Sequence, residues 1–351
     1  MIFMIRRAVS AVPPPNIHAV TFAALYPPTP LTPPLRTFAM QVSGGHVLHV
    51  EESGTADGIA ALVLHGGPGS GCSPLLRRFF DPARYRVICV DQRGSGASLP
   101  RGETALNRTA DLLDDLRALR QQLGIDRWLV VGGLWGAALA LAHACDAPQA
   151  VSGLLLRAVF LARTDDIGWF FQGARDVLPE AWQRFAAVAP AERRGDLLAF
   201  LGDAFTRGDP HECAAFALAW WRWEQAMARP ELLGRSVPEP DAPTGDALAA
   251  LVDRYRVQSH YLRHGCWLSQ PSLLERCAGL PPVPTLLLHG LEDRVCRPEG
   301  ALAVQARVPH SLLHWVAGAG HDPTHPGMAA ATVAALDGFA VQAHFGVEVP
   351  Q

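Results

Sequence analysis

Residues 128–145, WLVVGGLWGAALALAHAC, constrain this chain more than any other segment. An apolar run ends in Gly132-Gly133-Leu134-Trp135-Gly136, and small and apolar residues continue beyond it. The pattern predicts a buried strand that turns sharply into a helix, with glycine where a side chain would strike neighbouring backbone. A strand-turn-helix elbow that lifts a nucleophile above a parallel sheet reads G-x-S-x-G. Here Gly132 and Gly136 flank the turn, Ala137 lets the helix lie close to the sheet, and the central position holds Leu134. Taken alone, G-x-x-x-G after a strand is also what ordinary tight strand–helix packing needs.

Short apolar runs recur around this elbow, at 61–64, 86–90, 153–156, 285–288 and 312–316. Runs apolar on both faces are expected of parallel strands covered by helices. Residues 38–42 and 46–51 alternate apolar and polar around Gly44-Gly45, which predicts a two-residue hairpin. Leu112, Leu116, Leu119 and Leu123 repeat at helical spacing behind a cap at Asn107 or Thr109. Further helices are expected from 137 to about 145 and from 328 to about 343. This alternation implies an α/β fold with a mostly parallel, doubly wound sheet. Between residues 162 and 280 no strand-like run appears, and aromatic-rich helical stretches at 169–172, 181–185, 196–205 and 213–227 replace it. The expected organisation is a core in two parts, 26–161 and 281–351, with a helical cap inserted at 162–280.

Length and composition fit that plan. A chain of 351 residues, 49% hydrophobic, holds enough apolar surface for one large core and an insertion. A net charge of −3 gives no footprint for nucleic acid or an anionic membrane. No apolar run approaches the roughly 18 residues of a membrane span. Residues 1–40 lack Asp and Glu and are broken by prolines, so 1–25 are read as a Pro-rich, disordered leader rather than a secretory signal. The seven cysteines (72, 89, 145, 213, 266, 277, 296) include no C-x-x-C, which fits free thiols in a reducing cytoplasm. His260/His264 and His321/His325 are each four apart, but H-E-x-x-H is absent and no metal is expected.

Four further motifs follow predicted strands. His65-Gly66-Gly67-Pro68-Gly69 lets backbone N–H groups approach a carbonyl oxygen, as an oxyanion hole requires. Its donors would be at Gly67 and at Trp135, the residue after the elbow's central position. Asp91-Gln92-Arg93-Gly94-Ser95-Gly96 forms a polar turn, either beside the site or tying loops together through Asp91 and Arg93. Asp293, closing HGLED, and His321, closing AGAGH, stand where an acid would orient an imidazole base. The order of nucleophile position, acid and base is the one such folds use.

From about residue 26 to about 346 these segments resemble the proline iminopeptidase family of α/β-hydrolase serine peptidases. The resemblance rests on HGGPG, DQRGSG and AGAGH, on Leu156-Arg157-Ala158-Val159-Phe160, and on 166–173, DIGWFFQG. Trp220-Trp221-Arg222-Trp223-Glu224 matches the family's W-x-x-W-E. These last matches separate it from generic esterases and epoxide hydrolases. The resemblance implies a cofactor-free Ser-Asp-His triad that releases N-terminal proline from peptides. It makes Asp293 the acid and His321 the base, and it puts Leu134 in the nucleophile's place. It also implies that Glu224 holds the substrate amine, with Gln258 where the family has a second glutamate. Phe160 and Phe170 would surround the proline ring, with Leu262 and Cys296 beside them.

Leucine offers no lone pair, and losing the serine of such a triad costs on the order of 10⁶ in kcat, about 8 kcal/mol of barrier. Ser70, Ser95 and Cys72 lie in other loops and do not replace it. Three readings follow. The chain is a family member without peptidase activity that keeps a ligand pocket. Alternatively, it is an enzyme that uses His321 and Asp293 as a general-base dyad on another small substrate. Or it is, or recently was, an ordinary peptidase in which Leu134 is a variant.

Overall fold

The computed structural model describes residues 34–228 and 241–346; the leader expected at 1–25 lies outside the described residues. The apolar runs become strands, in chain order β1 (Arg36–Gln41), β2 (Val47–Gly54), β3 (Ile59–Leu64), β4 (Tyr85–Val90), β5 (Trp128–Leu134), β6 (Val151–Val159), β7 (Thr285–Gly290) and β8 (Ser311–Val316). They form one sheet ordered β1-β2-β4-β3-β5-β6-β7-β8. The pairs made by β2 with β1 and β4 are antiparallel, and the rest are parallel.

Helices α1 (Thr109–Gln122) and α2 (Trp135–Asp146) flank β5 in the chain. Between β6 and β7 come α3 (Thr164–Phe171), α4 (Pro179–Ala186), α5 (Leu197–Arg207), α6 (Pro210–Ala228), α7 (Gly245–Arg263) and the single turn α8 (Leu273–Arg276). α9 (Pro298–Arg307) links β7 to β8, and α10 (Pro326–Gln342) follows β8.

The two-residue alternation of β3 shows how the sheet is covered. Leu62 and Leu64 face a large core with α1, α2, α9 and the inserted helices. Ala61 and Val63 face a smaller core built with Met328, Val333, Leu336 and Phe339 of α10. Burial on both faces explains why the strands read as nearly continuous apolar runs.

Two local expectations are corrected. The β1–β2 connection is a five-residue loop: Gln41 pairs with Val47, the Val42 N–H donates to the His46 carbonyl, and Gly44 and Gly45 both take positive φ. Nor does Asn107 or Thr109 cap α1. Arg108 precedes the helix, and its N–H donates to Asp111. Asn107 instead donates to the Arg93 and Glu103 carbonyls, and Thr109 to the Cys266 carbonyl. Long-range contacts have taken both would-be caps. Among the described residues, no helix is long and apolar enough to cross a membrane.

Candidate active site

The elbow forms where the sequence places it. β5 ends and α2 begins at Leu134, whose backbone lies at φ 55, ψ −116. The flanking glycines are obligatory: a Cβ on Gly132 would sit 2.3 Å from the Gly136 carbonyl oxygen, and one on Gly136 2.1 Å from that of Leu64. Trp135 opens α2, where the first N–H groups of a helix have no intrahelical partner. Its buried indole donates to Gln92 Oε1 at 2.7 Å. Gln92 in turn donates its side-chain amide to the His65 carbonyl and its backbone N–H to His65 Nε2. This network holds the glycine loop after β3 against the elbow. Gly66 is so close that an added Cβ would lie 3.7 Å from the Leu134 Cβ.

Beyond β7 and β8, Asp293 and His321 meet. His321 Nδ1 lies 3.0 Å from Asp293 Oδ2 and 3.2 Å from Oδ1. The Val295 and Cys296 N–H groups also donate to Oδ1, each at 2.9 Å. Burial pushes the Asp293 carboxyl up, but His321, with His289 and the Cys296 N–H, prevails and holds it below its ordinary range. Arg157 Nη1 donates to the His321 carbonyl at 2.8 Å and fixes the loop that carries the ring. A carboxylate on Nδ1 sets the imidazole's orientation and leaves Nε2 for chemistry.

A cavity of about 210 Å³ opens between these loops and the inserted helices. Gly67, Leu134, Phe160, Phe170, Glu224, Gln258, Leu262, Cys296 and His321 all line it. Asp293 stands behind His321, and the Trp135 side chain is buried beneath the floor. At the polar end, Glu224 Oε2 accepts from Arg254 Nη2 at 2.7 Å and from the Tyr255 hydroxyl at 3.0 Å. Gln258 Nε2 donates to Oε1 at 3.3 Å, while Gln258 Oε1 is buried with no partner among the described residues. Burial works against the Arg254 charge, yet the Glu224 carboxylate holds its guanidinium above the ordinary range.

Sequence reasoning missed Arg254, along with Ile167, Phe171 and Val295 in the lining. The signal for Arg254 was its place four residues before Gln258, one helical turn away once 245–263 is read as a helix. Asp91 and Arg93 tie loops together. Asp91 accepts from the Cys72 and Ala97 N–H groups, and Arg93 donates to Asp115, Leu106 and Ser43. The Cys72 thiol donates to the Val90 carbonyl, and its hydrogen bond with Cys89, together with burial, pushes it well above its ordinary range. Ser95 donates to the Arg93 carbonyl. His260 Nε2 and His264 Nδ1 meet the Asn107 and His260 carbonyls, and no group of three or more candidate ligands gathers for a metal among the described residues.

Known proteins resemble this chain in family and in fold. Residues 61–326 match the family model for the alpha/beta hydrolase fold. A protein of Leptolyngbya boryana described as a probable proline iminopeptidase is 36% identical over 316 residues, covering 89% of this chain and 97% of its own length. The proline iminopeptidase of Xanthomonas citri is 37% identical over 311 residues, covering 88% of this chain and 97% of its own. The crystal structure of a proline iminopeptidase from Mycobacterium smegmatis covers 88% of this chain and 100% of its own with a TM-score of 0.56. At 20% identity, that last likeness is one of fold.

Proposed function

The chain belongs to the proline iminopeptidase family of α/β hydrolases, and from this premise we propose that its cavity is a prolyl-ligand site whose hydrolytic activity is severely reduced or absent. The carrying observation is Leu134 itself, at positive φ on the β5–α2 turn and in the wall of the cavity that His321 also lines. A side chain there would be the attacking group, and a leucine has nothing to attack with. It also fills space that a tetrahedral intermediate would need.

The remaining roles follow the same reading. Asp293 orients His321 as the base, and the N–H groups of Gly67 and Trp135 are the oxyanion donors. Phe160, Phe170, Leu262 and Cys296 enclose an apolar ring, while Glu224 and Gln258 face its nitrogen. The ligand is a small peptide or amide, and no cofactor is required. An odd number of cysteines without a C-x-x-C supports a reducing, cytoplasmic setting.

A second reading is favoured by the Asp293–His321 pair, which is fully formed at 3.0 Å. In it, His321 acts as a general base on water or a substrate proton without a covalent intermediate. One experiment separates the two: release of a fluorophore from a prolyl amide by the unaltered chain and by Leu134→Ser. We expect turnover from the variant alone, lost again on adding His321→Ala. Turnover by the unaltered chain that disappears with His321→Ala supports the dyad. Silence from both chains would overturn the assignment of Leu134 as the single missing part.

A further inference from the structure

The polar end of the cavity carries no free negative charge. Glu224, on α6, is paired with Arg254 on α7, and Oε2 already accepts two hydrogen bonds. Asp166, the other carboxylate in the lining, is paired with Arg163, which donates from Nη2 at 2.7 Å and Nε at 3.0 Å. Asp293 is buried behind His321 and committed to it. An incoming ammonium therefore meets charge-neutral pairs, and it must approach a fixed guanidinium to reach Glu224. Attraction between unit charges scales inversely with distance and is felt most in a low-dielectric cavity, so this arrangement works against a cation.

What the lining residues hold instead is a buried acceptor without a partner. Gln258 is 7% exposed, and its Oε1 is buried without a partner, although its Nε2 is tied to Glu224. An unmet buried acceptor carries a desolvation cost that a ligand N–H or O–H would relieve. A neutral donor does so without confronting Arg254. Around it the walls are apolar: Phe160, Phe170, Phe171, Leu262 and Val295.

We propose that this cavity selects small uncharged ligands, an apolar ring with a neutral N–H that donates to Gln258 Oε1, over the same ring bearing a protonated amine. The proposal rests on the reading of the cavity as a prolyl-ligand site and narrows it: a prolyl ligand binds there with its ring nitrogen unprotonated. Arg254 is then the specificity-determining residue, because it neutralises the carboxylate that would otherwise hold an ammonium.

L-Prolinamide and L-pyroglutamamide test this. Both are five-membered rings with a carboxamide, but at pH 7 the first carries a cationic ring nitrogen and the second a neutral lactam N–H. Calorimetric titration of the full chain should show pyroglutamamide binding about ten-fold tighter or more, an advantage of about 1.4 kcal/mol. Prolinamide should bind better as pH rises through the α-amino range at about 8, while pyroglutamamide stays flat. Arg254→Leu should move the preference about ten-fold towards prolinamide. Gln258→Glu, which leaves Arg254 in place, should move it the same way and covers the case in which the first variant fails to fold. The charge argument is overturned if the unaltered chain prefers prolinamide, or if both folded variants leave the ratio unchanged. If neither probe binds any of the three chains, or if binding survives filling the cavity with Leu134→Trp, the cavity reading itself falls.

Discussion

Leu134 is the residue where geometry and chemistry part company. Its backbone is held at φ 55, a region that costs a side-chain-bearing residue about 1–3 kcal/mol and that persists only where its surroundings impose it. Gly132 and Gly136 impose it here, since neither flank has room for a Cβ. Strain of this kind serves to present a reactive atom, yet the side chain presented is aliphatic. The strain can be measured apart from any catalysis. At an unstrained position, glycine is about 1 kcal/mol less stable than alanine. At position 134 the order should invert, with Leu134→Gly about 1 kcal/mol more stable than Leu134→Ala in urea unfolding. The usual order would mean that the turn is relaxed and the elbow is no functional device.

Among the elements, α2 and β5 share a buried contact that responds to pH. His143, fully buried on α2, accepts from the Trp128 indole N–H through Nε2 at 3.1 Å. Burial lowers its pKa from 6.5 to about 4. In the unfolded chain this histidine takes up a proton near pH 6.5, whereas the folded chain resists until about pH 4. Below pH 6.5 the unfolded state therefore gains relative to the folded one, and stability falls down to about pH 4 and then levels off. The loss attributable to His143 is about 3 kcal/mol. Urea unfolding at pH 7 and pH 4.5 should show His143→Gln, which retains an acceptor for Trp128, losing about 2–3 kcal/mol less than the parent between those two conditions. Equal losses would place the acid sensitivity elsewhere. This contact could not be read from the sequence, because His143 sits within an otherwise apolar helix with nothing to announce its partner. The strands were legible because burial on both faces leaves uninterrupted apolar runs. α7 was not, although Leu251, Tyr255, Gln258 and Leu262 lie at helical spacing and are buried. A glutamine in that stripe breaks the apolar pattern, and it does so at the cavity. The lining residues named from the sequence do converge there, whereas Arg254 required the helix to be known first.

At the scale of the whole molecule, one buried arginine ties the sheet to the inserted helices. Arg93, 1% exposed, donates to both Asp115 oxygens on α1 at 2.7 Å and to Ser43 in the β1–β2 loop at 2.8 Å. The Arg93 carbonyl accepts from Asn107, which in turn accepts from the Tyr261 hydroxyl on α7 at 2.7 Å. The helix that carries Arg254 and Gln258 is thus anchored to the core through the residues Arg93 holds. Removing one member of a buried ion pair strands the other's charge, which costs about 3–5 kcal/mol, while replacing both by apolar groups of similar size is often near neutral. Arg93→Met should therefore lose about 3–5 kcal/mol in urea unfolding, and Arg93→Met with Asp115→Leu should recover most of it. The double variant should nonetheless bind small cavity ligands more weakly than the parent, because apolar side chains restore packing but not the donor to Ser43 and Leu106 that orders the loop under α7. Full recovery of both stability and binding would show that the ion pair only fills space, and that α7 is positioned by its own packing against α5 and α6.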